Sequence, residues 1–318
     1  MKNCTIPVFF SSDDNYVPFL AVAITSLIHN SSKEYSYDII ILTTGISSDN
    51  KEKIRKLKTE NVNIKFVDVK HKIEKIAEKL KSRLRDYYSL SIYYRLFIPS
   101  MFPQYNKAIY LDADITVIDD ISKLYNENIE GYLVGAITDG IIPQDERLQM
   151  YTREALDIEP HMYFNSGVLL MNLDEFKKQK IEEKFIYLLE KYNFDVICPD
   201  QDYLNVLCKG QVKYIEKGWD RMPTEDVDFD DSKLHLIHYN MFMKPWKYDD
   251  VLYQEHFWEY AAKTEFYDSI CEIKNTQPDN IVSIDNEGTR KLMENSYNIA
   301  MSDFNFKAIF KRDNIDFK

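Results

Sequence analysis

An α/β fold built on a doubly wound parallel sheet is what this sequence predicts, and three observations predict it. Short apolar runs rich in Ile, Val, Phe and Leu alternate with segments of helical spacing over most of the chain. The polar residues interrupting that pattern cluster where apolar runs end, which is where open α/β sheets bind ligands. At 318 residues, 45% hydrophobic and 14% aromatic, the chain is long enough to bury a large core.

The elements follow in order. "TIPVFFSS" (5–12) is a first apolar run leading into the polar "DDNY", and "VPFLAVAITSLIHNSS" (17–32) has helical spacing that ends in Asn30 and serines. "YDIIILTTG" (37–45) reads as strand, "SSDNKEKIRKLKTE" (47–60) as a Ser-capped helix and "VNIKFVDV" (62–69) as strand. A polar helix is expected near 70–85, then an aromatic helix "SIYYRLFIPSMF" (91–102). "NKAIYLDADITV" (106–117) reads as one strand, "GYLVGAITDG" (131–140) as another, and "YFNSGVLLMNLDEF" (163–176) as a strand running into a helix. After about residue 250 the strand signal fades and "VLYQEHFWEYAAKTEFYDSICEI" reads as helix. Residues 1–250 are therefore expected to form the main domain and 251–318 a helical C-terminal extension.

Charge and cysteines narrow the class. A formal net charge of −12 leaves no general basic surface, which argues against nucleic acid as a partner. Cys4, Cys198, Cys208 and Cys271 are widely spaced and form no C-x-x-C pair, so neither a zinc site nor a disulfide framework is expected. No eighteen consecutive apolar residues occur, and the expected setting is the cytoplasm. Aromatic and basic residues in the tail, Phe304, Phe306, Phe310, Lys307, Lys311 and Arg312, would suit a weak peripheral contact at the inner face of a membrane, although a packed terminal helix is the simpler expectation.

The chemistry centres on "LDADIT". In a continuous strand, Asp112 and Asp114 would share a face roughly 7 Å apart. At that separation they would repel by about 2 kcal/mol. A cation relieves the repulsion, and hard carboxylate oxygens suit Mg²⁺ or Mn²⁺. His238, in "LIHYNMFMKPW" (236–246), would complete an Asp/Asp/His set that favours Mn²⁺, titrating with an ordinary pKa near 6.5. Lys244 offers a point charge to a diphosphate. "CPDQDYLN" (198–205) sets Asp200 and Gln201 in a first helical turn, where helix capping competes with recognition of sugar hydroxyls. Arg95, among aromatics, needs an anion, from either a protein carboxylate or a substrate phosphate. Asp13, Asp14 and Asn15 follow the first strand and Asp139 follows "YLVGAIT", whereas Asn165 and Ser166 stand at the start of theirs. "DVDFDDS" (226–232) lacks the glycine and glutamate of a calcium loop and reads as a solvated acidic stretch.

In this order, "FFSSDDNYVPFLAVAITSL", "YYRLFIP", "AIYLDADITV", "YFNSGVLLMNL", "PDQDYLN" and "HYNMFMKPW" resemble glycosyltransferase family 8, over roughly residues 5–250. The resemblance implies a GT-A fold, a Rossmann-like mixed sheet flanked by helices, with a UDP-sugar donor, a glycan or glycoconjugate acceptor and Mn²⁺, for which Mg²⁺ can substitute. It implies Asp112, Asp114 and His238 as metal ligands, Ser11, Asp13 and Asn15 as nucleoside contacts and Lys244 as the diphosphate contact. Arg95, Asn165, Asp200 and Gln201 resemble donor-sugar contacts and Asp139 a residue near the acceptor, which makes Gln201, Asp200 and Asp139 the candidate catalytic residues, with Gln201 or Asp200 as nucleophile and attack by the acceptor from the leaving-group face both left open. The chain departs from the pattern at Met241, three residues after His238, where many members have glycine. Two rival readings stand beside this one. "DADIT" also satisfies the D-x-D-x-T signature of haloacid-dehalogenase-type Mg²⁺ phosphatases, although about a hundred residues of α/β pattern precede it. A non-catalytic nucleotide-sugar-binding protein, with Met241 marking a degenerate site, is the other.

Overall fold

The computed structural model describes residues 4–72, 74, 93–223 and 229–317. Nine strands are described: β1 (Thr5–Ser11), β2 (Ser36–Thr43), β3 (Val62–Asp68), β4 (Lys107–Leu111), β5 (Ile115–Val117), β6 (Val134–Thr138), β7 (Phe164–Asn172), β8 (Val212–Tyr214) and β9 (Leu236–His238). Between the first six lie α1 (Val17–Asn30), α2 (Ser48–Arg55), α3 (Tyr94–Met101) and α4 (Ile121–Tyr125). Then come α5 (Glu146–Glu154), α6 (Leu173–Lys178), α7 (Ile181–Lys191) and α8 (Pro199–Leu207). After residue 250 the chain is helical: α9 (Gln254–Ala261), α10 (Tyr267–Asn275), α11 (Ile281–Ala300) and α12 (Phe306–Asp313).

Local chemistry accounts for many of these bounds. Pro18 in the first turn of α1 costs no hydrogen bond, because that backbone N–H would be unpaired anyway. Ser47 caps α2 by accepting from Asn50 N–H, as the serine before an acidic turn suggests. The helix expected near 70–85 falls mostly outside the described residues, and so do Asp226, Val227 and Asp228 of the acidic stretch.

Seven strands form one sheet in the order β3-β2-β1-β4-β7-β6-β8, and β5 pairs with β9 in a small second sheet. Strands β2, β1 and β4 are parallel neighbours, whereas β7 runs antiparallel to both β4 and β6. The sheet is thus mixed, not wholly parallel as strand and helix alternation suggested. One consequence positions the site. Because β7 is reversed, Asn165 and Ser166, its second and third residues, lie at the edge where β1, β4 and β6 end.

The run 106–117 is likewise not one strand. It pairs with β7 up to Leu111, breaks at Asp112–Asp114, and resumes at Ile115 against β9. The break is the point where the chain leaves one sheet for the other, which is why two carboxylates are tolerated in so apolar a run.

Two apolar clusters fill the two faces of the large sheet. One gathers Phe9, Tyr110 and Leu169 with α3, α7 and α8, and the other gathers Phe10, Ile109 and Val168 with α1. The C-terminal helices belong to both: Phe306 and Ile309 enter the first cluster, and Phe257, Tyr260 and Ile270 the second. The helix α12 is a packed terminal helix, with Lys307 paired to Glu154 at 2.9 Å and Phe306 buried. Among the described residues no helix is long and apolar enough to cross a membrane.

Candidate active site

The register of the small sheet brings distant residues together. Ile115 pairs with His238, and Tyr239 N–H donates to the Asp114 carbonyl at 2.9 Å. His238 Nε2 therefore faces the acidic turn, 3.4 Å from Asp114 Oδ1 and 3.8 Å from Asp112 Oδ2. One ligand atom from each of the three residues lies within 4.8 Å of the others.

Asp220 holds the imidazole in place. The carboxylate, in the 3-10 turn Lys217–Asp220, lies 2.9 Å from His238 Nδ1 and has a fully buried side chain. The arrangement fixes which ring nitrogen is left for a metal, as outer-shell carboxylates do for metal-bound histidines. Burial would lower the pKa of His238, but Asp220 and Asp114 outweigh it and raise it to about 10. The ordinary value expected from the sequence does not hold, because the ring is enclosed by acids. A cation that takes Nε2 competes with a proton there.

Gly167 makes the approach possible. A Cβ at this position would sit 2.2 Å from His238 Cε1 and 2.7 Å from Asp112 Oδ2. Its carbonyl also accepts from Asp112 N–H at 2.8 Å, so the glycine both clears the space and anchors the turn.

Arg95 bridges two carboxylates. It lies 2.9 Å from Asp112 Oδ1 and 3.1 Å from Asp200 Oδ2, and stacks 4.2 Å over the Tyr110 ring. Burial opposes its charge, but Asp112 and Asp200 prevail and its pKa is raised. Of the two anion sources left open by the sequence, the structure supplies protein carboxylates. Lys244 is likewise engaged, in an ion pair with Asp114 Oδ2, and not directed at open solvent. Burial would push the Asp114 carboxyl up, yet Lys244 and His238 pull it well below the usual carboxylate range.

The remaining polar residues form one network. Asp139 accepts from Ile141 and Ile142 N–H through Oδ1, and from Asn165 Nδ2 (3.2 Å) and Gln201 Nε2 (3.0 Å) through Oδ2. The Oε1 of Gln201 accepts from Ser166 N–H at 2.9 Å, and Ser166 Oγ donates to Asp200 Oδ2 at 2.8 Å. Asp200 carries a raised pKa, from burial only partly offset by Arg95. Asp139 is thus a buried positioning residue for the Asn165 and Gln201 amides. A cavity of about 240 Å³ joins Arg95, Asp112, Asp139, Asn165, Asp200 and Gln201 with His238.

A second cavity, of about 420 Å³, opens between the ends of β1 and β4 and takes in Ser11, Asp13, Tyr16 and Thr44. Arg95 and Asp112 line both cavities. The order of the strands reverses at β1 and β4, so this is the switch-point crevice of the fold. Asn15 is exposed and is not among the residues lining it, while Asp14 is turned to Ser47 N–H and Asn50.

The donor set suits a hard divalent cation. Asp112, Asp114, Asp139, Asp200 and Asp220 gather around Arg95, Lys244 and His238 in a largely buried site rich in carboxylates. Two carboxylate oxygens and an oriented imidazole nitrogen offer a divalent cation two hard donors and one softer one. Sequence reasoning missed Asp220 and Gly167. The glycine stood inside a recognised motif, but nothing local marked the aspartate.

Comparison with known proteins adds the following. The glycosyl transferase family 8 model matches residues 7–250. A putative glycosyltransferase of Haemophilus influenzae is 34% identical over 222 residues, covering 70% of this chain and 64% of its own length. The lipopolysaccharide 1,2-glucosyltransferase of Escherichia coli K12 is 26% identical over 275 residues, covering 82% of this chain and 75% of its own. Glycosyltransferase GlyB of Streptococcus pneumoniae is 28% identical, with only 48% of its length matched. Among solved structures, the galactosyltransferase LgtC bound to donor and acceptor sugar analogues superposes with a TM-score of 0.66 at 25% identity, covering 83% of this chain and all of that one. The apo bifunctional glycosyltransferase WbbM gives 0.74 at 24% identity, covering 86% of this chain and 52% of that one.

Proposed function

The chain belongs to glycosyl transferase family 8 and has the GT-A fold, and from that premise we propose that it is a retaining, Mn²⁺-dependent hexosyltransferase. It moves glucose or galactose from a UDP-sugar to a hydroxyl of a glycan or glycoconjugate, with Mg²⁺ as a substitute cation. The observation that carries this reading is the convergence of Asp112, Asp114 and His238 where the two polar cavities meet.

Asp112, Asp114 and His238 would hold the cation, whose charge serves to bind a pyrophosphate and to stabilise UDP as it leaves. The chain's own residues do the rest. Ser11, Asp13 and Tyr16 line the crevice offered to the nucleoside. Arg95 bridges Asp112 and Asp200, offsets their mutual repulsion and fixes both. Lys244, held beside Asp114, places a positive charge where negative charge develops on the departing phosphate. Asn165, Asp200 and Gln201 present an ordered amide and carboxylate surface to the sugar. Gln201 has Oε1 held by Ser166 N–H and Oγ and Nε2 held by Asp139, and it keeps one N–H to offer a hydroxyl of the ring.

Calorimetry tests the reading. UDP binds the wild type in the presence of Mn²⁺, and Asp114→Asn lowers that affinity at least tenfold. Wild-type affinity in the variant, or equal UDP binding with and without Mn²⁺, overturns the assignment. Release of UDP from UDP-glucose or UDP-galactose then identifies the donor.

A further inference from the structure

A third cavity, of about 490 Å³, adjoins the catalytic one on the side away from the nucleoside crevice. It shares Ile141, Leu148, Asn240, Met241 and Leu292 with the catalytic cavity, and none of its lining residues with the crevice. The three spaces form a series: nucleoside crevice, catalytic cavity, apolar groove. The groove runs between α5, the loop after β9 and α11, and Phe242, Met243, Val282 and Met293 make its walls.

Met241 stands at the junction, and its backbone is unusual. Its φ is +52°, in the left-handed region that favours glycine. A side chain there costs on the order of 1 kcal/mol, so the chain keeps a glycine-like backbone while projecting a thioether into the groove. The residue is also 41% exposed, with Met243 at 45% and Val282 at 56%. Methionine is the side chain best able to adapt to an irregular aliphatic surface. Gly288 of α11 admits the Phe242 ring, which would lie 3.3 Å from a Cβ there, and so shapes the wall.

Charge narrows the occupant. Lys247 is spent on Asp285 at 3.3 Å, and Tyr248 donates to the same carboxylate. On α11, Arg290 pairs with Glu287 and Glu294, and Lys291 with Glu287. These cations are taken up by acids, and no phosphate cradle is formed beside the groove among the described residues.

Resting on the transferase reading above, we propose that the groove seats the aliphatic chain of a neutral glycolipid acceptor, whose sugar hydroxyl enters the adjoining catalytic cavity. The polar acceptor end enters the catalytic cavity past Ile141, Leu148 and Asn240, which line both spaces, and the chain lies along Met241, Met243 and Val282.

The test uses the full chain with ¹³C-methyl methionine and n-alkyl β-D-glucosides and β-D-galactosides, from methyl to octyl, below their micelle concentrations. Octyl glycosides shift the methyl signals of Met241, Met243 and Met293, but not those of Met162 and Met301, which are exposed elsewhere. Affinity rises about fourfold for each methylene buried. The double variant Met243→Asp, Val282→Asp, at exposed positions that tolerate charge, loses this dependence on chain length. UDP with Mn²⁺ is measured on the same samples. If UDP does not bind, the transferase reading fails; if UDP binds and octyl and methyl glycosides behave alike, the groove proposal alone fails. Equal shifts at Met162 and Met301 mean detergent adsorption and also overturn it. A dimer in sedimentation velocity that octyl glucoside dissolves assigns the groove to a second copy and overturns the lipid assignment.

Discussion

Gly167 and Asp202 show how much of the site depends on residues that never meet substrate. Gly167→Ala drives a methyl group into His238 and Asp112, so the three ligand atoms separate. The expected outcome is a loss of Mn²⁺-dependent UDP affinity of at least tenfold by calorimetry, with circular dichroism unchanged; normal affinity would mean that the turn relaxes freely. Asp202 lies at the start of α8 and accepts from Tyr163 OH (2.6 Å), Tyr151 OH (2.8 Å) and the Ile197 and Cys198 N–H groups. Burial raises its pKa to about 6 despite these donors. A folded-state pKa above the unfolded value gives stability that is complete below about pH 4 and lost as pH rises through about 6. Asp202→Asn cannot titrate. Between pH 4.5 and 7.5 the wild type should therefore lose about 2 kcal/mol relative to the variant in urea unfolding. Parallel pH profiles for the two proteins would remove Asp202 from the account.

At the scale of elements, the sequence displays what is periodic and hides what is directional. The strands at 5–12, 37–45, 62–69, 131–140 and 163–172, and the Ser-capped second helix, are legible because apolar runs and caps are local signals. The reversal of β7 is not legible, since its residues are buried on both faces and such a run looks the same in either direction. For that reason Asn165 and Ser166 looked misplaced in the sequence, although they lie at the ligand edge. The break at Asp112–Asp114 is hidden similarly, because an apolar run does not announce a change of sheet. The Asp/Asp/His set was readable from residue types and motif order, whereas Asp220, in a short 3-10 turn, reaches His238 because the next residue, Arg221, bridges to Ile237 alongside β9. Arg95 and Lys244 were visible as cations in need of anions, but which anions they would take is a property of the packed site.

Across the whole molecule, the helices after residue 250 are part of what holds the site together. Phe306 of α12 packs 4.1 Å from the Phe194 ring and 5.0 Å from Tyr203, and Tyr203 belongs to the helix that carries Asp200 and Gln201. The groove wall on α11 lies just before this anchor in the chain and packs against α5, whose Leu148 faces both cavities. Emptying the anchor should therefore loosen the side of the cavity proposed to face the sugar more than the Asp112, Asp114 and His238 cluster, which comes from the turn after β4 and from β9. Phe306→Ala is expected to cost about 3 to 4 kcal/mol in urea unfolding, the range for a large aromatic removed from a packed core. Below the unfolding transition the variant should keep Mn²⁺-dependent UDP affinity within about twofold while its turnover of donor falls. A variant that lost UDP binding and turnover in equal proportion would show instead that the C-terminal helices support the whole site as a single unit.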